Sequence, residues 1–135
     1  MQRKGFGLIE ILVVIAIIGI LGAYQVVRLD HARKLARVAA AEKALSGLIS
    51  AAVLCQDAGQ DLRDSTGVAC DGNRVWQEEG VLCSGSDSEW PRIPAGIDEG
   101  LCDSDQGTNS FSFSATTDIY TVTCTQDGCT KTETP

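Results

Sequence analysis

GFGLIEILVVIAIIGILG, residues 5–22, is apolar throughout except for one carboxylate, Glu10. From Phe6 to Val27 no other side chain ionises near neutral pH. As a helix rising about 1.5 Å per residue, the stretch is long enough to cross a bilayer. A charge at mid-membrane costs roughly 2.5 to 3.5 kcal/mol on insertion scales. Glu10 therefore needs a partner, a shallow position or a proton, and nothing within its own helix is expected to supply a partner.

The residues outward from Glu10 repeat a known pattern. Gly5-Phe6-Gly7-Leu8-Ile9-Glu10, the apolar run that follows and the basic start Arg3-Lys4 resemble the N-terminal segment of the type IV pilin family. The resemblance implies a leader, residues 1–5, cut after Gly5 by a prepilin peptidase that also methylates the new Phe6 amine. It implies that Glu10 pairs with the Phe6 amine of an adjacent subunit during assembly. The physics agrees, since an α-amine with a pKa near 8 is largely protonated at neutral pH, and opposite charges attract strongly in a low-dielectric site. Two departures stand out: Gly7 where the family often has Thr, and Val27 where many major pilins have a helix-breaking Pro. Gly19 and Gly22 serve either close helix packing or loosening of the helix on assembly. A secretory signal peptide or a plain anchor is the alternative, but Gly22-Ala23 is a poor cleavage site and the helical pattern continues past it.

From residue 28 to 54 the pattern stays helical. Leu35, Val38, Leu45, Leu48, Ile49 and Ala52 form an apolar stripe, alanines raise the propensity, and no Gly or Pro interrupts residues 23–46. The sequence thus predicts one continuous rod: 6–27 as the membrane and assembly half, 28–54 as an amphipathic half packed along a head, with Gly47 tolerated near the end. The head, 55–135, shifts to Gly, Asp, Ser and Thr. Cys55 to Pro94 reads as irregular, with Trp76 and Trp90 as core plugs. Phe111 and Phe113 alternate with serines, then Tyr120, Val122 and Cys124 with threonines, the period of half-buried strands. Ala115 to Asp118 would turn between these strands, and Thr125 to Gly128 would close a second hairpin. The expected fold class is α+β, similar to type IV pilins: a long helix on a small antiparallel sheet stapled by disulfides.

All six cysteines, Cys55, Cys70, Cys83, Cys102, Cys124 and Cys129, follow the apolar segment, as suits an oxidising compartment. Six cysteines allow fifteen pairings. Cys124 and Cys129 flank the last hairpin loop and face each other; sequential pairing would add Cys55 with Cys70 and Cys83 with Cys102. Basic residues are denser after the span, at Arg28, Arg33, Lys34 and Arg37, than before it, which opposes a cytoplasmic N-terminus. The cysteines and the leader outweigh that count.

Residues 51–135 hold 4 Lys/Arg against 15 Asp/Glu, a balance of −11, while residues 28–43 hold 5 against 2. So acidic a head disfavours nucleic acid, whose binding depends on cations neutralising phosphates. The basic collar at 28–37 is expected to meet acidic groups of neighbouring subunits. Asp98, Asp103, Asp105 and Asn109 place oxygen ligands in what reads as a flexible loop, a calcium candidate comparable to the loop of type II secretion pseudopilins, although it lacks the spacing and terminal Glu of an EF-hand. An ordinary solvated acidic loop is the alternative. The cysteines lack repeated C-x-x-C pairs and His31 is the sole histidine, so no cofactor is expected of them. No Ser-His-Asp set or phosphate-cradling loop points to catalysis.

The resemblance implies a homopolymer: a precursor in the bacterial inner membrane, handled by the prepilin peptidase/methylase and a pilus assembly platform, then an extracellular surface filament used in adhesion or motility. A secretion pseudopilin, a minor or competence pilin, and a membrane-anchored binding protein that never polymerises are the alternatives.

Overall fold

A computed structural model describes residues 5–135 of the chain. These fall into two compact units, one ending at Arg33 and one running from Lys34 to Pro135. Helix α1 (Leu8–Ser46) is followed by α2 (Ile49–Asp57) and by strands β1 (Asp71–Val75), β2 (Ile97–Asp105), β3 (Ser110–Thr117), β4 (Tyr120–Thr125) and β5 (Gly128–Glu133). The strands form one antiparallel meander in chain order, β1-β2-β3-β4-β5.

The long helix expected from the sequence runs from Leu8 to Asp57, with one two-residue irregularity. It breaks at Gly47-Leu48, where Leu48 N–H reaches Leu45 O at 3.0 Å and the Ser46 hydroxyl bonds back to Lys43 O at 3.1 Å. A three-residue hydrogen-bond step and a serine that competes for a helical carbonyl together end α1 at the point where Gly47 adds the least helix propensity. Helix α2 then runs to Asp57, past residue 54. Gly59 (φ +72°) stops it, its N–H on Gln56 O and that of Gln60 on Cys55 O, both at 2.9 Å. This pair of bonds is a Schellman cap, which needs the left-handed conformation glycine adopts freely.

Within the second unit, Val38, Ala41 and Leu45 are buried one helical turn apart, and Ala52 and Cys55 extend the same face on α2. Leu35, assigned to that stripe from the sequence, is 45% exposed. Against the helices lie Trp76, Trp90 and Phe113, all fully buried. The two indoles stack with centroids 5.1 Å apart, and Phe113 meets Trp90 edge-on at 5.6 Å. Each indole N–H is satisfied by a backbone carbonyl, Trp76 on Ser114 O at 2.6 Å and Trp90 on Arg63 O at 2.7 Å. The tryptophans are core, as their size and the scarcity of aromatics suggest.

Strand β3 buries Phe111, Phe113, Ala115 and Thr117 in strict alternation, and β4 buries Val122 and Cys124. The expected turn at Ala115 to Asp118 is shorter: β3 runs to Thr117, whose hydroxyl donates to Tyr120 O at 2.7 Å and accepts Tyr120 N–H at 3.1 Å. That side chain, buried at the turn, closes it tightly enough for the strand to include residues that read as loop. Strands β1 and β2 are hidden in the sequence because β1 is a short polar edge and β2 carries four acids, with a bulge between Glu99 and Cys102. The segment 98–109, which reads as a flexible loop, is thus mostly strand.

Cys124 is disulfide-bonded to its register partner Cys129. The sequential pairing of the other four is wrong: Cys55 is bonded to Cys83 and Cys70 to Cys102. Topology decides this. β1 pairs with β2, Arg74 opposite Cys102, so Cys70 just before β1 meets the inner face of β2. The bridge between Leu62 and Cys83 brings the 83–88 loop under α2 and onto Cys55. Closing loops of 28 and 32 residues is worth about 3 to 4 kcal/mol each in the chain-entropy model.

Two features permit tests. A Cβ on Gly100, at the β2 bulge, would collide with the Ser114 hydroxyl and backbone. Gly100→Ala is expected to destabilise the protein by roughly 1 to 3 kcal/mol of overpacking strain, read from the denaturant midpoint. Asp64, buried beside the core, accepts the Thr66 hydroxyl at 2.6 Å, the N–H groups of Thr66 and Val68, and the Arg74 guanidinium at 2.9 Å. Led by the Thr66 hydroxyl and opposed by burial, these hold its carboxyl at about 2, below the ordinary 3.8. The ionised carboxylate therefore contributes stability that is complete above pH 3.8 and is lost as pH falls toward 2. Asp64→Asn should lower stability at neutral pH and flatten the stability profile across that acid window, measured by thermal melts.

Candidate functional site

The N-terminal unit presents its apolar side chains outward on every side. Phe6 is 84% exposed, and Leu8, Ile9, Ile11, Ile15 and Ile20 are exposed all around the helix. A helix that is apolar on all faces has to be covered by lipid or by other helices, and this one is long and apolar enough to cross a membrane.

Gly5, Phe6 and Gly7 precede α1 and are not helical. Helix α1 begins at Leu8, which makes Gly7 its N-cap and Glu10 its third residue. Gly7 N–H donates to Glu10 Oε2 at 3.1 Å. This is the returning half of a capping box, in which a carboxylate at the third helical position bonds the amide of the cap residue. The expectation that Glu10 has no partner in its own helix is therefore incorrect. Its partner is a backbone N–H rather than a side chain, and the spacing from Gly7 to Glu10 is the signal for it in the sequence. The carboxylate also lies at the positive end of the helix dipole. Phe6, whose amine the resemblance pairs with Glu10, adjoins this bond. The leader, residues 1–5, lies outside the described residues except for Gly5.

Residues 1–23 match a family model described as the prokaryotic N-terminal methylation motif. The chain carries a prepilin-type methylation motif. The motif implies processing by a prepilin peptidase/methylase, and the α+β architecture with its long N-terminal helix is pilin-like. The motif and the apolar helix are consistent with membrane anchoring. No curated protein and no solved structure matches the chain.

The basic collar divides between the two units. Arg28 lies over the Tyr24 ring, 5.1 Å from its centroid. Arg37 bonds Asp118 of its own head at 3.3 Å and covers Gly96. Lys131 likewise reaches Glu42 at 3.1 Å. Both pairs are substantially exposed, a setting in which an ion pair contributes at most about 1 kcal/mol, so they orient the sheet on the helix more than they stabilise it.

The four calcium candidates are not brought together. Asp98 and Asp103 sit toward opposite ends of β2, paired with Thr116 and Ser112. Asp103 accepts the N–H of Ser104 at 2.8 Å; Asp105 accepts Gly107 N–H at 2.8 Å and the Thr108 hydroxyl at 3.0 Å, bonds that hold its carboxyl below the ordinary range, the Thr108 hydroxyl foremost. Asn109, at φ +51°, occupies the left-handed turn position before β3. Asp105 and Asn109 thus shape the β2–β3 turn. Among the described residues no group of three or more His, Cys, Asp or Glu is placed to hold a metal ion.

The Glu10 cap separates hydrogen bonding from charge. Glu10→Gln keeps an acceptor for Gly7 N–H, whereas Glu10→Ala does not. In micelles the Gly7 amide should exchange at a similar rate in wild type and Glu10→Gln and about fivefold faster in Glu10→Ala, the factor for a bond worth about 1 kcal/mol.

Proposed function

We propose that the chain is a structural subunit of a type IV pilus, a pilin that polymerises through its N-terminal helix into a surface filament serving adhesion or motility. The observation that carries this is the methylation motif at 1–23 on a helix whose apolar side chains are exposed all round. Copies of such a helix cover one another when bundled, and contacts that repeat without closing generate a filament. Glu10 supports the same reading: among the described residues its carboxylate accepts the Gly7 amide, and a carboxylate has two oxygens with which to meet the Phe6 amine of another copy as well. In this reading the chemistry is done to the chain by the prepilin peptidase/methylase and not by it. The precursor sits in the bacterial inner membrane and passes through a pilus assembly platform to the cell surface. The acidic, cross-linked heads lie outside the bundle.

One observation favours a second reading, a pseudopilin of a type II secretion system: α1 continues through Val27, where many major pilins carry Pro. Non-reducing mass spectrometry of filaments sheared from the cell surface separates the two. A surface pilin is expected there as a chain beginning at N-methylated Phe6 with all six cysteines oxidised. The same processed chain confined to the cell envelope would favour the pseudopilin, and retention of residues 1–5 in cells with an active peptidase would overturn both.

A further inference from the structure

The outer face of β3, β4 and β5 carries hydroxyls and no charge. Ser112 faces Thr125, Ser114 faces Thr123 and Thr116 faces Thr121 across β3 and β4. The array continues onto β5, where Thr121 and Thr123 face Thr132 and Thr130. The charged residues of β5, Lys131 and Glu133, belong to the alternate set, opposite Val122 and Tyr120, and Lys131 reaches the helix. In a segment of balance −11, an uncharged face three strands wide is a pronounced departure.

Ser114 accepts Leu101 N–H at 3.0 Å, while the threonines of the array are bonded weakly. Thr116 to Thr121, Thr121 to Thr134, and Thr130 to the Thr123 carbonyl all measure 3.5 Å, the outer limit for such bonds. Each hydroxyl is a donor and a double acceptor, so capacity remains for an outside partner. The β-branched threonines hold that capacity in restricted rotamers on a pleated surface.

At its β1 side the array runs into a shallow cavity of about 280 Å³, lined by Gly72, Leu101, Asp103, Ser112, Ser114 and Thr123. Gly72, at φ +82°, has no Cβ; one would stand 3.5 Å from Asp103 Oδ2 and narrow the approach to that oxygen. Asp71, opposite Asp103 in register, is engaged by Arg74 at 3.8 Å and by Asn73 N–H. Leu101 and its register partner Val75 are each nearly half exposed and form an apolar ledge beside the cavity.

We infer that this sheet face and its cavity bind a neutral carbohydrate, with Asp103, Ser112 and Thr123 meeting sugar hydroxyls and Leu101 and Val75 meeting a sugar C–H face. Charge and polarity disfavour anionic and apolar occupants, and the uncharged hydroxyl face holds no carboxylates beyond Asp103 at its edge to fix a cation. Asp103 and the acidic head repel anionic ligands. An apolar partner would bury the hydroxyls without hydrogen bonds, at a cost of about 1 to 3 kcal/mol for each group left unsatisfied. A neutral polyol supplies donors to Asp103 and both donors and acceptors to the serines and threonines. The inference does not depend on polymerisation, so it stands or falls separately from the filament reading.

The test uses the full chain as a monomer in a zwitterionic, sugar-free detergent, applied to an immobilised panel of glucose, galactose, mannose and N-acetylhexosamine oligomers beside sialylated counterparts. Retention of the protein by at least one neutral class is expected. Thr123→Val, which removes a hydroxyl at constant shape, and Asp103→Asn should each weaken it about tenfold, as expected for loss of one hydrogen bond to a charged or buried partner. Thermal melts matching wild type would establish that both variants fold. The inference is overturned if no neutral oligosaccharide retains the chain at millimolar concentration, if sialylated glycans are preferred, or if both folded variants bind as wild type does.

Discussion

An apolar helix surface with nothing to cover it constrains everything else in this molecule. Side chains such as Leu8, Ile11, Ile15 and Ile20 lie exposed along the first half of α1. Hydrophobic burial is worth about 25 cal/mol per Å², so covering these side chains together stabilises more than any single contact in the head does. That stabilisation is gained only where lipid or another apolar surface covers the helix. In the pilin reading proposed above, the head would have to remain folded while the helix passed from lipid to other copies. Two long-range disulfides and the paired tryptophans lie wholly within the second unit and stabilise it.

Glu10 links this constraint to specificity. Apolar surfaces associate in any register, whereas a carboxylate has one best position. The Gly7 N–H bonds Glu10, one of the several hydrogen bonds that a carboxylate can accept. A polar group inside an apolar seam selects one alignment of neighbouring helices, much as a single buried polar residue fixes register in coiled coils.

Much of this is readable in the amino-acid order, and the reasons for the rest are physical. The apolar run, the Glu10 position and the strand alternation at 111–113 and 120–124 are local signals that no tertiary contact overrides. The Cys124–Cys129 bond can be foreseen because a hairpin dictates its own neighbours. The other two bonds cannot, since they depend on β1 pairing with β2 and on the loop under α2, contacts between segments far apart in sequence. Strand β2 escapes sequence reading because its acids imitate a solvated loop, although their alternation with Ile97, Gly100 and Cys102 marks an outward face. The break at Gly47 is underestimated when helix propensity is weighed there without the competing Ser46 hydroxyl. The hydroxyl face is hidden for a similar reason: threonines that alternate with core residues read as ordinary solvent-side positions until the register lines them up.

The strand order, identical to the chain order, also bears on how the head forms. Every sheet pairing joins consecutive strands, so loop closure for β3, β4 and β5 involves only short turns. Contacts this local form early and quickly. The C-terminal hairpins can assemble before the segment between α2 and β1 finds its place, and the cross-links of Cys55 and Cys70 then record an arrangement already reached. The sheet is thus able to pair from its C-terminal hairpins toward α2, and the Cys55–Cys83 and Cys70–Cys102 bonds join segments that lie far apart in sequence.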